Sequence, residues 1–361
     1  MGKKVVVGMS GGVDSSVAAY LLKEQGYEVI GVNMQMWHGG DTETDMGNGV
    51  CGTSGAEDAK KVADMLGIPF YVADFRKAFK NCVVDYFVEE YLQGRTPNPC
   101  NACNRFVKWE ALLEKAAKMG ADYIATGHYA RIERLAGGRY AVKNSATAQK
   151  DQTYALYGLS QEQLSRTLMP DGDYTKEEIR GIAVKLGLPV AAKPDSQDIC
   201  FIPDGDYAAF LEREAPERLA GEGDFVGMDG RVLGRHKGIT HYTIGQRKGL
   251  GLSMGHPVFV TGIRKETNEV LIGESEDLYA RQILCEKMNY MAMEDLPEPK
   301  RAVGKVRYAH KGSACLLEKL PDGRVKCTFD EPVRAPAPGQ AAVFYEDGYV
   351  LGGGTICGTL S

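Results

Sequence analysis

The sequence predicts an α/β protein: a Rossmann-like parallel sheet, then a small central β-rich domain, then a C-terminal β-barrel, with boundaries at 1–205, 206–278 and 279–361. Three observations predict it. Apolar runs at Lys4 to Met9, Glu28 to Trp37, Pro69 to Phe75 and Tyr123 to Thr126 alternate with helical periods at Ser15 to Gln25, Ala56 to Gly67, Arg76 to Leu92 and Phe106 to Met119, the signature of parallel βα units. A glycine-rich turn, Ser10-Gly11-Gly12-Val13-Asp14-Ser15, joins the first run to the first helix. From Gly221 onward the texture changes to short apolar runs punctuated by glycine (VFVTGI, EVLIG, ARQILC, VKCTF), which read as strands and hairpins.

Taken in order, the first strand ends at a turn whose two glycines let backbone N–H groups approach an anion, and the helix behind it opens with its positive end facing them. Ser10, Asp14 and Ser15 add polar side chains there. The string therefore reads as a pyrophosphate loop. No GxxxxGK[ST] string occurs, so a Walker A loop is excluded. In a parallel sheet a ligand sits beyond the carboxyl ends of the strands, where this loop, Met34 to Trp37 and Gly127-His128 all fall. Residues Trp37 to Gly55 are polar and glycine-rich and read as a long loop. A helix is expected at Thr175 to Leu188 and a short one near Tyr207 to Arg213. The division between the two β-rich modules is expected near the acidic Gly273 to Leu278 stretch.

Formal net charge is −5 and the pI about 5.8, so any nucleic-acid contact must be a local patch. Arg231, Arg235, Lys237, Arg247, Lys248, Arg264 and Lys265 form a run without an acid, and Lys300 to Lys311 adds further cations beside Tyr308 and His310. Such interleaving suits RNA phosphates and stacked bases, and equally suits a solvated basic face. No apolar run is long enough to span a membrane. Nine cysteines, without a secretory leader, point to a reducing, cytoplasmic setting.

Cys100 and Cys103 form a CxxC ahead of the helix expected at Phe106. Arg105 and Lys108 lie nearby, so lowered thiol pKa values and enhanced nucleophilicity are expected. Cys200, in SQDICF, is the third candidate. A four-cysteine zinc site lacks its second pair. An iron–sulfur cluster on Cys100, Cys103 and Cys200 is the alternative to nucleophilic thiols. Cys82, Cys285, Cys315, Cys327 and Cys357 read as inert core thiols, and Cys51 has no assignable role.

With SGGVDS, TPNPCNACN, ATGHYAR, KDQTYAL and DSQDICFI in one order, the chain resembles the tRNA-specific 2-thiouridylases of bacteria, the MnmA/TrmU type within the PP-loop ATP pyrophosphatases, over essentially its whole length. The resemblance implies an N-terminal PP-loop catalytic domain, a small central domain and a C-terminal barrel that helps hold tRNA. It implies that ATP adenylates the C2 oxygen of the wobble uridine and that sulfur replaces it, with release of AMP and pyrophosphate. By similarity Cys200 carries the sulfur as a persulfide, supplied by a cysteine desulfurase or a sulfur-relay protein. Cys103 then attacks that persulfide, leaving a Cys103–Cys200 disulfide, or directs persulfide attack on the base.

The resemblance also assigns ATP contacts to Gly8, Met9, Ser10, Gly11, Gly12, Val13, Asp14, Ser15, Met34 and Gly127. Contacts with the tRNA anticodon loop fall to Asn98, Pro99, Cys100, His128, Lys150, Asp151, Gln152, Arg307, Tyr308 and Gln340. Magnesium is expected with ATP; its ligands are not legible, and no resident metal is assigned. Cys100 stands where many members of the family carry aspartate, which removes a carboxylate base from that position. Two other readings are a PP-loop enzyme that adenylates a small substrate before amidation, and a non-catalytic RNA- or sulfur-binding protein.

Overall fold

The computed structural model describes residues 2–37, 53–194 and 199–360, and the chain divides into two compact units. The first comprises Met1–Val84, Cys100–Gly205 and Asp347–Leu351; the second comprises Asp85–Pro99, Asp206–Glu346 and Gly352–Ser361.

In the first unit, β1 (Lys4–Gly8) lies between β2 (Glu28–Gln35) and β4 (Tyr123–Ala125), all parallel, with Val6 opposite Ile30 on one side and Ile124 on the other. β3 (Phe70–Asp74) extends the sheet beyond β2. Val5, Val6 and Val7 are wholly buried, which is why β1 reads as a continuous apolar run rather than an alternating one. Two helices, α1 (Val13–Glu24) and α2 (Thr53–Leu66), contribute Val17, Ala19, Leu22, Ala59, Val62 and Ala63 to the same core. Burying each of the larger aliphatic side chains is worth about 1.5–3 kcal/mol.

Three further strands were not anticipated. β5 (Arg131–Arg134) and β6 (Tyr140–Lys143) form an antiparallel hairpin, and β7 (Thr167–Leu168) closes the parallel sheet beside β4, giving the order β3-β2-β1-β4-β7. The hairpin escapes sequence reading because RIER and YAVK are short, charged and half-buried. The helix expected at Phe106 instead starts at Pro99: an α-turn Pro99–Ala102 runs into a π-helical stretch Cys103–Ala111 and the helix Leu112–Lys118. Proline suits the first turn of a helix, where its missing N–H has no partner to lose.

In the second unit, β8 (Gly223–Gly227), β9 (Val232–His236), β10 (Phe259–Arg264) and β11 (Glu269–Gly273) make a four-stranded sheet in the order β10-β11-β8-β9. Its core is Phe225, Ile239, Tyr242, Val260, Val270 and Ile272. Residues 85–99 pack in this unit, with Phe87 and Phe210 6.0 Å apart and Tyr91 stacked on Tyr207 at 4.8 Å.

The remaining strands are β12 (Tyr279–Tyr290), β13 (Lys300–Lys305), β14 (Ser313–Lys319), β15 (Val325–Arg334), β16 (Ala341–Glu346) and β17 (Tyr349–Leu360). They run in the order β12-β15-β14-β13-β16-β17, and pairing of β12 with β17 closes the barrel. Cys285, Cys315 and Cys327 fill its interior, each wholly buried, as inert thiols do. Cys82 and Cys357 are half-buried. Cys51 and nearly all of the expected Trp37 to Gly55 loop lie outside the described residues. Among the described residues no helix is long and apolar enough to cross a membrane.

Candidate active site

Beyond the carboxyl end of β1 the chain turns through Gly11, whose φ of +76° and whose closeness to Gly55 (an added Cβ would lie 2.2 Å from its carbonyl oxygen) admit only glycine. Gly12 then caps α1 without any side-chain hydrogen bond, so the first N–H groups of the helix are left to an incoming anion. Ser15 ties the turn together: its hydroxyl accepts from the Ser10 N–H at 3.2 Å and lies 3.3 Å from the Ser10 hydroxyl. Ser16 donates to the Gly12 carbonyl at 2.8 Å.

Val13 and Met9 are buried in the core, and Met9 is fixed on both sides, its N–H donating to Val32 and its carbonyl accepting from Asn33 Nδ2 at 2.8 Å each. Gly8 faces Met34, with the Met34 methyl 3.2 Å from where a Cβ would stand, and Gly127 lies so near the loop that a Cβ would meet Asp14 C and Ser15 N at 2.6 Å. The expected ATP contacts thus gather at one strand edge.

Asp14 does not point at an open cradle. Its Oδ1 accepts from Tyr129 OH at 2.7 Å and from Lys176 Nζ at 2.6 Å, and its Oδ2 from Lys176 at 2.8 Å. Lys193 donates to the Gly11 carbonyl at 3.1 Å and to Asp58 at 3.0 Å. Tyr129, Lys176, Lys193 and Asn33 were missed as site residues. Tyr129 lies within ATGHYAR, Lys193 just ahead of DSQDICFI, and Lys176 looks like any first-turn lysine.

Cys100, Cys103 and Cys200 all belong to the first unit. Cys103 is buried, its Sγ 3.8 Å from Met36 Sδ, while Cys100 and Cys200 are exposed. Each of Cys100 and Cys103 feels Cys200 and Lys108 electrostatically. Phe201, next to Cys200 in the chain, is anchored 5.6 Å from Phe79 and 6.2 Å from Trp37. Residues 195–198 of the DSQDICFI string lie outside the described residues.

The expectation of lowered thiol pKa values is corrected here. Desolvation pushes Cys103 up to about 12 and lifts Cys100 above the ordinary range, although part of its surface reaches solvent; Lys108 pulls both down without prevailing. Local sequence shows the cations but not the burial. Among the described residues no group of three or more His, Cys, Asp or Glu side chains could hold a metal ion.

His128 hydrogen-bonds Thr126 through Nδ1 at 2.8 Å and packs 5.3 Å from the Trp109 ring. Burial, with Lys108 adding, keeps it neutral by holding its pKa well below the usual value. Asp151 and Gln152 make internal bonds: Asp151 accepts from Ser145 N–H at 2.9 Å and Thr153 N–H at 3.1 Å, and Gln152 Oε1 accepts from Tyr129 N–H at 2.9 Å. Lys150 is exposed.

In the second unit, the Gln340 amide donates to the carbonyls of Thr96 at 3.1 Å and Pro97 at 3.2 Å, fixing the approach to Asn98 and Pro99. Arg307 donates to the Arg334 carbonyl at 2.7 Å, and Tyr308 beside it is 52% exposed. Much of the basic run is neutralised by acids of flanking strands: Arg235 by Asp224 at 2.8 Å, Arg264 by Glu269 at 3.1 Å, Lys300 by Glu346 at 2.8 Å, and Arg301 by Asp330. Arg247, Lys248 and Lys311 stay exposed and outside the ion pairs seen among the described residues.

Three family descriptions match the chain in sequence: a tRNA methyl transferase HUP domain over residues 3–204, a tRNA methyl transferase PRC-barrel domain over 208–274, and an aminomethyltransferase beta-barrel domain over 280–356. The chain is 58% identical over 355 residues to the tRNA-specific 2-thiouridylase MnmA of Lachnoclostridium phytofermentans, covering 98% of this chain and 99% of that one. It is 52% identical over 356 residues to the protein of the same name from Clostridium kluyveri, with 99% of each covered. A solved 4-thiouridine synthetase–RNA complex with bound ATP matches at 17% identity and a TM-score of 0.35, over 60% of this chain and 51% of that one, too distant a likeness to carry an argument. On full-length identity above one half, the chain belongs to the family of tRNA-specific 2-thiouridylases.

Proposed function

We propose that the protein is a tRNA-uridine 2-sulfurtransferase, using ATP to convert the wobble uridine of tRNA to 2-thiouridine in the cytoplasm. The observation that carries the reading is the presence, within one unit, of an uncapped glycine loop at the carboxyl end of β1 together with the free thiols Cys100, Cys103 and Cys200. An amide-like carbonyl oxygen is a poor leaving group, so the C2 oxygen first attacks the α-phosphate of ATP. Pyrophosphate leaves from the loop Ser10–Ser15, whose N–H groups hold its charge. Gly8, Met34 and Gly127 line the adenosine side.

Sulfur arrives as a persulfide on exposed Cys200, donated by a cysteine desulfurase or a relay protein. In one route the Cys103 thiolate attacks Cys200 Sγ, the S–S bond of the persulfide breaks, and hydrosulfide leaves to attack C2 and expel AMP. In the other, the persulfide's outer sulfur attacks C2 and AMP leaves; the Cys103 thiolate then attacks Cys200 Sγ, the S–S bond to the base-bound sulfur breaks, and 2-thiouridine is released. Both end in 2-thiouridine and a Cys103–Cys200 disulfide, which an external thiol reduces by two electrons. Asn98, Pro99 and Cys100 would surround an unstacked base, with neutral His128, Lys150, Asp151 and Gln152 nearby in role, and Arg307, Tyr308 and Gln340 serving the RNA from the barrel unit. Magnesium would accompany ATP as its counter-ion. The chain is proposed to divide at 205/206 and 278/279.

The test is reconstitution with ATP, magnesium, unmodified tRNA and a persulfide donor, followed by nucleoside mass analysis. Formation of 2-thiouridine with one AMP and one pyrophosphate each, abolished by Cys200→Ser, is expected. Absence of 2-thiouridine with and without oxygen would refute the reading.

A further inference from the structure

Asp171 is wholly buried, and neither of its carboxylate oxygens has a hydrogen-bond partner. Buried polar atoms in this state are uncommon enough to require an explanation. It sits on the short turn Pro170–Asp173, packed against α1 and β5. The turn lies close against Ala130: a Cβ added to Gly172 would stand 2.0 Å from the Ala130 carbonyl oxygen.

The groups that face Asp171 come from separate elements. α1 supplies Asp14, and the first turn of the helix Lys176–Lys185 supplies Lys176; the Tyr129 hydroxyl donates to Asp14. At the open side of the turn, Arg131 of β5 and Asp173 lie 3.9 Å apart, and Arg131 also donates to the Asn144 carbonyl. Lys176, its side chain 8% exposed, gives its ammonium to both oxygens of Asp14 at 2.6 and 2.8 Å. Lys176 is engaged by Asp14, and an ionised Asp171 would add a second buried negative charge beside Asp14.

We propose that Asp171 is a positioning residue held as a neutral carboxylic acid beneath the loop, so that a pyrophosphate-bearing ligand on Ser10–Ser15 meets no net negative charge from below. The proposal rests on the reading of that loop as a phosphate site. Desolvation, and secondly Asp14, drive the Asp171 carboxyl toward its protonated form, with Lys176 opposing. The linkage has a definite sign. A folded-state pKa above the unfolded value means that the stability associated with this group is complete below the ordinary carboxylate range and is lost as pH rises toward the raised value.

The test compares wild type with Asp171→Asn, which has the shape of the neutral acid and cannot ionise, using inorganic pyrophosphate as probe and infrared difference spectra of both proteins. Near pH ~7 the wild type is expected to show the carbonyl stretch of a protonated acid that D171N lacks, and the two to bind pyrophosphate within about twofold. As pH is raised until that band disappears, wild-type affinity falls about tenfold relative to D171N, the effect of one added charge close to the anion. Asp171→Leu provides the same subtraction should D171N not fold. Absence of the acid band, or a tenfold loss of pyrophosphate binding in D171N near neutral pH, overturns the proposal. Pyrophosphate binding to neither protein, with the acid band present, instead overturns the phosphate reading of the loop.

Discussion

Burial at Cys103 makes a quantitative prediction about which thiol reacts. Its side chain is nearly closed off, against Met36, and desolvation raises its pKa to about 12. An unperturbed thiol titrates near 8.5, so at about pH 8 roughly a quarter of it is thiolate, whereas a thiol at about 12 is thiolate in about one molecule in ten thousand. The nucleophile is the thiolate, so Cys103 should react about a thousandfold more slowly than an ordinary exposed cysteine. Cys200 is exposed.

Iodoacetamide labelling of the native protein, resolved by peptide mass analysis, should therefore modify Cys200 at least a hundredfold faster than Cys103 at about pH 8. The Cys103 rate should climb about tenfold per pH unit without a plateau below about pH 10. Urea should erase the difference. Because the folded pKa lies above the unfolded one, any stability linked to this thiol is complete below about 8.5 and is lost as pH rises through the interval up to about 12. Labelling of native Cys103 within tenfold of Cys200, or a plateau in its rate below about pH 9, would refute the reasoning. In the proposed mechanism this order would let sulfur reach the exposed thiol, Cys200, while the buried Cys103 is spared.

Further outcomes follow from other contacts. Gly127→Ala places a methyl group 2.6 Å from Asp14 C and Ser15 N, so the loop must shift; ATP affinity by calorimetry should fall more than tenfold, with about 1–3 kcal/mol lost in stability. Trp109→Phe removes the indole donor to Thr167 Oγ1 at 2.9 Å in a wholly buried setting, costing about 1–3 kcal/mol in urea unfolding. Lys108→Met should slow alkylation of both Cys100 and Cys103 and move the His128 titration upward in an NMR experiment, since one cation acts on all three. Replacing Arg247 and Lys248 together by alanine should flatten the salt dependence of tRNA binding by a slope of about two, without altering ATP binding.

What could be read in advance was what local pattern encodes. The buried valines of β1 announce themselves in KVVVG, and SGGVDS carries its own backbone chemistry, because only glycine tolerates the φ of Gly11 and the closeness of Gly55. The change to glycine-punctuated runs correctly marked the sheet and barrel of the second unit. What failed was whatever depends on residues distant in sequence. The acid-free stretch from Arg231 to Lys265 looks uniformly basic, yet Asp224 and Glu269, just outside it, pair with Arg235 and Arg264 across strands. Cys100 and Cys103 have cations beside them in sequence, but the burial that decides their protonation comes from packing in the folded unit. Asp171 drew no notice because nothing in MPDGDY distinguishes a buried acid from a turn aspartate.

The central claim is that the oxygen lost from the base leaves on the adenylate. It is tested most directly with a tRNA transcript carrying heavy-isotope oxygen at C2 of the wobble uridine, turned over once with ATP and a persulfide donor, with the AMP then weighed. The account predicts one heavy oxygen in the AMP for each 2-thiouridine formed. AMP without label, alongside full thiolation, would contradict it.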